Sequence, residues 1–305
     1  MMKISSCTGN LIKDIPSAQK WFPVFREAGF DALDLSLFMA NFSHADVYAH
    51  RSSAYFNLPT EQRRAMTVEI ARIARENGLQ IGQTHAPFPS QILTGDEEWN
   101  RVIDSAVEKS IEATAWLDCP YIVIHPVFTA FSKNHTTEDQ YRINREFYGR
   151  FIPVLKCCGV TACLENMWFS KNGKIYAACC TDFREVNRLI RDLNEMAGAE
   201  CFAFCLDTGH ATLCSQDLSV AIRTLGSNIR TLHLHDVHPN DDSHTAPYFG
   251  VADWDEILTS LQEIGYSGTL NFEAAETWEK RPEALTPSFI RLLGDCGKYF
   301  RDTYF

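Results

Sequence analysis

The sequence lacks several features that would assign it to a common class of protein. No apolar run is long enough for a membrane helix or a signal peptide, and the start, MMKISSCTGN, passes straight from one lysine into a β-like segment. This absence predicts a cytoplasmic protein without membrane association. No tract rich in proline, glycine or serine, no charge block and no low-complexity segment divides the chain. One domain covering residues 1–305 is therefore the simplest interpretation.

Basic residues are scarce and scattered. The chain has 28 lysines and arginines against 39 aspartates and glutamates, which gives a formal net charge of −11. Proteins obtain most of their nonspecific affinity for nucleic acid from lysine and arginine, so this composition disfavours nucleic acid as a partner. The acidic charge also predicts a soluble protein.

Cysteines are numerous but not arranged as a metal site. The chain has 11 of them, an odd number, and no two have the C-x-x-C spacing of a zinc knuckle. We expect buried, reduced thiols, as is usual inside the cell. For Cys7, at the end of the first predicted strand, a catalytic thiol is the weaker alternative to packing.

Short β-rich runs alternate with amphipathic helical runs along the whole length, a pattern typical of βα units. The predicted strands are 3–7, 32–38, 79–85, 121–126, 160–166, 202–207, 231–236 and 269–274. The predicted helices are 59–77, 97–117, 137–157, 182–197, 216–226, 253–264 and 283–300. Most strands are continuous apolar runs, as expected for strands buried on both faces. The sequence therefore predicts the α/β class and a single (β/α)8 TIM barrel.

Acidic and imidazole side chains stand at the ends of five successive predicted strands. They are His125, Glu165, Asp207, His233 and Glu273. The ends of parallel strands converge when a sheet closes into a barrel, so these residues should form one cluster. Carboxylate oxygen and imidazole nitrogen suit one divalent metal ion, Mn, Mg, Co or Zn, and no organic cofactor is expected.

For two of these carboxylates, a purely structural role is the alternative interpretation. Glu165 could cap a helix or join an internal salt bridge, and Asp207 could cap the helix that follows it. His233 and His235 lie two apart on a strand and share a face, so one of them can join the cluster, whereas Asp236 points the other way if the strand is regular.

The motifs H-x-P, H-P, L-E-N, L-D-T-G-H, H-L-H-D and F-E occur in this order and resemble the xylose isomerase-like barrel superfamily. The resemblance runs from THAPF at 84–88 to GYSGTLNFE at 265–273. That superfamily contains sugar isomerases and epimerases of carbohydrate metabolism, inosose dehydratase and hydroxypyruvate isomerase relatives, and apurinic endonucleases of the endonuclease IV type.

Resemblance to the epimerase branch implies that the metal is held by Glu165, Asp207, His233 and Glu273. It also implies that the two glutamates are the acid/base pair of a sugar or keto-polyol isomerase or epimerase. Such an enzyme removes a proton next to a carbonyl through a metal-stabilised enediolate. His210 and His235 would hydrogen-bond substrate oxygens.

Resemblance to the endonuclease branch implies three zinc ions and further ligands. The matching residues are His85, His125, His210, Asp242 and His244. Many sugar-type members carry the same motifs, so the match does not separate the two branches. His85 and His125 can therefore contact substrate, support the ligands, bind extra metal or be structural.

The loops that follow the predicted strands hold many aromatic residues and two neighbouring lysines. The aromatic residues are Phe38, Phe88, Phe128, Trp168, Phe249 and Trp278. They could line a sugar site, with Trp168 as a substrate contact, or simply pack. Lys171 and Lys174 could receive a phosphate or carboxylate, or be solvated.

Three further alternatives stay open. Carbon-glycoside deglycosidases resemble this superfamily in one subunit, so a dehydratase or lyase reaction is an alternative, and so is a barrel that binds sugar without catalysis. Barrel enzymes of this group commonly form dimers or tetramers, which makes a homo-oligomer a further expectation. The longer connections 38–58 and 237–252 are candidates for segments that cover the substrate, and 38–58 could also contact another subunit.

Overall fold

Parallel strands from the whole length of the chain form the centre of the protein. The computed structural model describes residues 1–35, 51, 53–87, 97–127 and 137–305. One sheet contains β1 (Lys3–Cys7), β2 (Ala32–Leu35), β3 (Gln80–His85), β4 (Tyr121–Ile124), β5 (Thr161–Glu165), β8 (Phe202–Asp207), β9 (Ile229–His233) and β12 (Thr269–Phe272). Two antiparallel hairpins pair β6 (Trp168–Lys171) with β7 (Lys174–Ala177), and β10 (Asp236–His238) with β11 (Asp241–Thr245).

The sheet closes into a barrel. Its strand order is β12-β1-β2-β3-β4-β5-β8-β9, and each neighbouring pair is parallel. Leu234 joins the two end strands, because its N–H donates to the Asn271 carbonyl (2.8 Å) and its carbonyl accepts from Glu273 N–H (3.0 Å). The predicted (β/α)8 TIM barrel is confirmed.

Helices surround the barrel between its strands. They are α1 (Ile15–Ala28), α2 (Ala54–Asn57), α3 (Thr60–Glu76), α4 (Glu97–Trp116), α5 (Thr137–Gly149), α6 (Ile152–Cys158), α7 (Phe183–Ala197), α8 (Thr208–Leu213), α9 (Leu218–Leu225), α10 (Trp254–Glu263), α11 (Glu276–Glu279) and α12 (Thr286–Tyr304). Short 3-10 turns occupy Gly226–Asn228 and Glu283–Leu285. The apolar faces of the helices pack on the outside of the sheet and form the main core.

Several predicted boundaries need correction. Helix α1 was not among the predicted helices; prolines 16 and 23 interrupt its pattern, yet Asp14 and Ser17 cap its start reciprocally. The predicted helix 137–157 is two helices, because Pro153 has no N–H with which to continue α5. The predicted helix 283–300 begins as a 3-10 turn, and its α-helical part is α12.

The predicted connections contain more structure than expected. The connection 237–252 includes most of the β10–β11 hairpin, and the β6–β7 hairpin follows β5. Strand β2 is described as far as Leu35, so the end of predicted strand 32–38 and most of the connection 38–58 lie outside the described residues.

All 11 cysteines are free thiols. Cys7 is 2% exposed, and burial raises the pKa of its thiol well above the ordinary value, which favours packing over catalysis. None of the helices in the described part of the chain is long and apolar enough to cross a membrane.

Candidate active site at the carboxyl ends of the barrel strands

Four ligand-type side chains meet inside the barrel mouth and form what we call the strand-end cluster: Glu165, Asp207, His233 and Glu273. Glu165, Asp207 and His233 each end a barrel strand, and Glu273 directly follows another. One ligand atom from each lies within 4.8 Å of the others. His233 Nδ1 lies 3.1 Å from Glu165 Oε1, 3.2 Å from Glu273 Oε2 and 3.9 Å from Asp207 Oδ2. The strand ends thus bring together the predicted set of metal ligands.

Asp207 is both a helix cap and a member of this cluster. Its Oδ1 accepts from the backbone N–H of His210 (2.6 Å), which caps α8, while Oδ2 faces His233. The two interpretations of Asp207 therefore do not exclude each other. Asn166 holds this strand end from the side, since its amide donates to the Asp207 carbonyl (2.8 Å) and its carbonyl oxygen accepts from Asp207 N–H (2.9 Å).

Glu165 connects the strand-end cluster to two more histidines. Its Oε1 faces His233, and its Oε2 lies 3.0 Å from His125 Nε2 and 3.4 Å from His85 Nε2. His85 Nδ1 is 2.7 Å from the Ala86 carbonyl, a contact that favours a proton on Nδ1 and directs Nε2 at the carboxylate. Both histidines can therefore support Glu165 or share a ligand position with it.

A second group, which we call the hairpin cluster, consists of His210, Asp242 and His244. His210 comes from α8, and the other two come from β11. Asp242 Oδ2 lies 3.4 Å from His210 Nε2 and 3.2 Å from His244 Nε2. Trp168 Nε1 donates to the same oxygen (2.9 Å), so this residue contacts Asp242 and ties the β6–β7 hairpin to the other hairpin.

His235 lies between the two clusters. It is fully buried, and its Nε2 is 3.0 Å from both oxygens of Asp207. Its ring stacks on His244 with centroids 3.9 Å apart and an interplanar angle of 9°. A Cβ at residue 209 would come within 2.0–2.5 Å of this ring, so Gly209 makes room for it. His235 therefore faces Asp207, while Asp236 points away and anchors the loop before α10.

The pKa values of the strand-end cluster are shifted in different directions. Burial works to raise the pKa of Glu165, but His233 and His125 hold it well below the ordinary value. Burial raises the pKa of Glu273, against the opposing effect of His233 and His244. Burial disfavours charged His233, yet the Cys205 sulfur, Glu273 and Glu165 raise its pKa well above the ordinary value. A proton on His233 or Glu273 would therefore compete with a cation for the same atoms.

The donor set fits a divalent cation. Three carboxylates and one imidazole converge in the strand-end cluster, a set suited to hard and borderline divalent ions. Among the described residues, these carboxylates pair with histidines and not with any lysine or arginine. Buried carboxylates without a permanent cation nearby are costly, and a metal ion would relieve that cost.

The aromatic residues and lysines predicted as possible substrate contacts lie in different surroundings. Trp168 lies at the site, whereas Trp278 is 2% exposed and packs edge-on against Phe25 in the core. Phe249 is 58% exposed, and Lys171 and Lys174 are exposed on the β6–β7 hairpin. The remaining aromatic candidates, at 38, 88 and 128, lie outside the described residues.

Sequence reasoning missed a polar layer beneath the strand-end cluster. Asp34 of β2 lies 3.5 Å from His233 Nε2, and Gln83 and Asn271 donate to the same carboxylate oxygen of Asp34. The signal was present, since each is a polar residue inside an apolar strand, as in ALDL and TLNF.

Comparisons with known proteins agree with this architecture. A family model described as "Xylose isomerase-like TIM barrel" matches residues 22–293. A protein named y4fM from Sinorhizobium fredii is 25% identical over 283 residues, which cover 85% of this chain and 84% of that protein.

Two solved structures have the same fold. L-ribulose 3-epimerase has a TM-score of 0.72 at 16% identity, with 100% of this chain and 96% of that chain covered. The 3-keto-D-glucoside 4-epimerase of E. coli has a TM-score of 0.67 at 15% identity, with 99% and 100% covered. Because the family model matches residues 22–293, which are most of this chain, the protein belongs to the xylose isomerase-like TIM barrel family.

Proposed function

We propose that this protein is a divalent-metal-dependent sugar or keto-polyol isomerase or epimerase. The observation that carries the proposal is the strand-end cluster, in which one ligand atom from each of four residues lies within 4.8 Å of the others. The solved structures of similar fold include a ketose 3-epimerase and a keto-glucoside 4-epimerase, which supports a sugar as the substrate. A bound divalent ion would supply positive charge that makes a proton next to a carbonyl easier to remove.

Glu165 and Glu273 are the proton carriers in this proposal. Both carboxylates face His233 Nδ1 from the ends of different strands, so they border the same space from two sides. Glu165 sits among histidines that keep it ionised, which suits a base, whereas burial raises the pKa of Glu273, which suits an acid. One glutamate would remove a proton from the sugar and the other would return a proton to it.

The substrate we propose is uncharged. In the described residues, the carboxylates of the strand-end cluster contact histidines and no lysine or arginine that could receive a phosphate. Lys171 and Lys174 are exposed to solvent on the β6–β7 hairpin. A free ketose should therefore react faster than its phosphate ester. The same cluster could support a related dehydratase or lyase reaction, because removal of a proton next to a carbonyl begins all of these reactions.

A phosphodiesterase with three zinc ions is the second candidate. The hairpin cluster together with His235 forms another group of ligand atoms within 4.8 Å, and His85 joins Glu165 and His233 in a third group. These extra groups favour this alternative, whereas the net charge of −11 and the lack of a basic surface signal in the sequence oppose it.

Metal content separates the two candidates. We would purify the protein without added metal, measure its metal content by inductively coupled plasma mass spectrometry, and repeat the measurement on Asp207→Ala. About one divalent ion per chain, lost in this variant, supports the isomerase proposal. About three zinc ions per chain, combined with cleavage of DNA at abasic sites, would replace it with the phosphodiesterase.

The reaction itself is tested by hydrogen exchange. Free ketoses, keto-inositols and glycosides would be incubated with the metal-loaded protein in heavy water and analysed by NMR. Deuterium incorporation next to the carbonyl, together with a new epimer or isomer, supports the proposal. Incorporation that disappears in Glu165→Gln but persists in Glu276→Gln, a half-buried control on α11 that pairs with Lys280, would assign it to the strand-end cluster.

A further inference from the structure

Asp34 is a buried carboxylate whose position in the barrel suggests a specific task. It lies in β2 at 1% exposure, beneath the strand-end cluster. Within the described part of the chain, its one ion-pair contact is with His233, where Oδ2 lies 3.5 Å from Nε2. A carboxylate in this environment is costly to bury, so a purely structural site would favour an apolar residue.

Two amide side chains fix the orientation of this carboxylate. Gln83, the register partner of Asp34 on β3, donates to Oδ2 at 3.0 Å, and Asn271 on β12 donates to the same oxygen at 3.2 Å. The Asn271 amide also donates to the Leu232 carbonyl at 3.1 Å. Asp34 Oδ2 is therefore held from both sides and directed at His233.

The two ring nitrogens of His233 face different surroundings. Nδ1 faces the carboxylates of the strand-end cluster, and Nε2 faces Asp34. Neutral imidazole carries one N–H, so a proton on Nε2 leaves the lone pair of Nδ1 directed into the cluster. Histidines that bind metals usually donate their other N–H to a carboxylate or carbonyl, which sets the tautomer and the ring orientation.

We propose that Asp34 is a positioning residue that accepts the Nε2–H of His233 and so presents Nδ1 to the divalent ion. This inference rests on the metal site of the proposed function, but not on the sugar reaction. Asp34 acts through His233 and contacts neither substrate nor metal. Gln83 and Asn271 complete the arrangement, because they keep Oδ2 beneath the ring.

Zinc affinity tests the proposal directly. We would measure zinc binding to the wild type, Asp34→Asn and Asp34→Leu by competition with a chelating dye. Loss of such a supporting carboxylate typically weakens metal affinity by about 10–100-fold, and we expect the leucine variant to be the weaker of the two, because an asparagine oxygen can still accept the Nε2–H. Thr67→Val is the control, because it removes a buried hydrogen bond with Tyr55, 2.8 Å long, in which neither Asp34 nor any residue of the strand-end cluster takes part.

A spectroscopic readout separates positioning from a loss of stability. Zinc-loaded protein labelled with ¹⁵N-histidine should show a protonated Nε2 on His233 in long-range ¹⁵N–¹H spectra, with the peak assigned by its absence from His233→Gln. In Asp34→Asn we expect that proton to exchange with water at least about tenfold faster, since its acceptor is weaker. Thr67→Val should leave it unchanged.

Wild-type zinc affinity in folded Asp34→Asn, or a proton on Nδ1 instead of Nε2 in the zinc-loaded wild type, would overturn the proposal. If Asp34→Leu does not fold, the asparagine variant decides alone. A wild type that binds zinc as expected but converts no sugar would contradict the proposed function and leave the role of Asp34 standing.

Discussion

The strand-end cluster and the hairpin cluster contain similar side chains but are built differently. In the strand-end cluster, Glu165, Asp207 and His233 are at most 1% exposed, and Glu273 has 12% side-chain exposure. In the hairpin cluster the side-chain exposures rise to 6%, 16% and 22% for His210, Asp242 and His244. Barrel strands hold the first cluster, whereas a short helix and a two-stranded hairpin hold the second.

Under the proposed function, this difference predicts different roles for the two clusters. Groups fixed on barrel strands are pre-organised, which suits metal binding and proton transfer. Groups on connections after the strands can vary and move more easily, which suits contacts to substrate. His244 has a positive φ of 36°, a backbone conformation that the hairpin must maintain. Because His235 contacts Asp207 and stacks on His244, the two clusters are not independent.

The largest expected effect comes from removing the carboxylates of the strand-end cluster. Glu165→Gln and Glu273→Gln should each lower kcat for ketose conversion by about 10²–10⁴-fold, the usual contribution of an acid or base. Asp242→Asn in the hairpin cluster should mainly raise KM. Equal loss of kcat in all three variants would contradict the division between the clusters. Glu276→Gln, which is paired with Lys280 on the surface, is the control.

The next effect tests the link between the clusters. Gly209→Ala places a methyl group within 2.0–2.5 Å of the His235 ring, so the ring must leave both Asp207 and His244. We expect a loss of about 1–3 kcal/mol in the free energy of unfolding, together with weaker metal binding. Urea denaturation and metal titration measure the two effects. Gly149→Ala on α5 is the control, because its nearest contact is the flexible end of Met196 at 3.2 Å.

Two histidines should make the free energy of unfolding of the metal-free protein depend on pH in opposite directions. Burial lowers the pKa of His125 to about 4, despite the opposing charge of Glu165. Burial also disfavours charged His210, but Asp207 and Asp242 raise its pKa to about 10. Relative to an unfolded value of about 6.5, His125 stabilises the fold above pH about 6.5 and loses this effect as the pH falls through about 4. His210 stabilises below pH about 6.5 and loses this effect as the pH rises through about 10.

Urea denaturation in the presence of a chelator measures these dependences. The stability difference between the wild type and His210→Gln should shrink from pH about 6 to pH about 10. The difference between the wild type and His125→Gln should shrink from pH about 7 to pH about 4. If both differences change in the same direction with pH, the assigned charge states are wrong.

The smallest expected effect concerns the contact between the two hairpins. Trp168→Phe keeps an aromatic ring but removes the Nε1–H that donates to Asp242 at 2.9 Å. We expect a loss of about 0.5–1.5 kcal/mol in the free energy of unfolding, typical for one hydrogen bond. KM should rise more than kcat falls, because Trp168 contacts the hairpin cluster and not the glutamates. Tyr176→Phe on the exposed strand β7 is the control.

The parts of the site also differ in how far the sequence alone predicts them. The strand-end cluster was predicted because each ligand follows a recognisable apolar run, and parallel strands direct their ends to one mouth. The position of His235 was left open, because strand β9 ends at His233 and regular alternation does not extend beyond it. The contact between Asp34 and His233 was missed, because a single polar residue in a strand does not reveal which partner lies above it.

The sequence by itself determined the order of the barrel strands and of most helices, the barrel, and the donor atoms that gather at its mouth, because these depend on local pattern and on the direction of parallel strands. The tertiary structure alone decided which donors share a cluster. It placed Asp34 under His233 and His235 between Asp207 and His244. Such contacts depend on barrel closure, strand register and the fold of two hairpins, which join residues distant in sequence and leave no periodic signal in it.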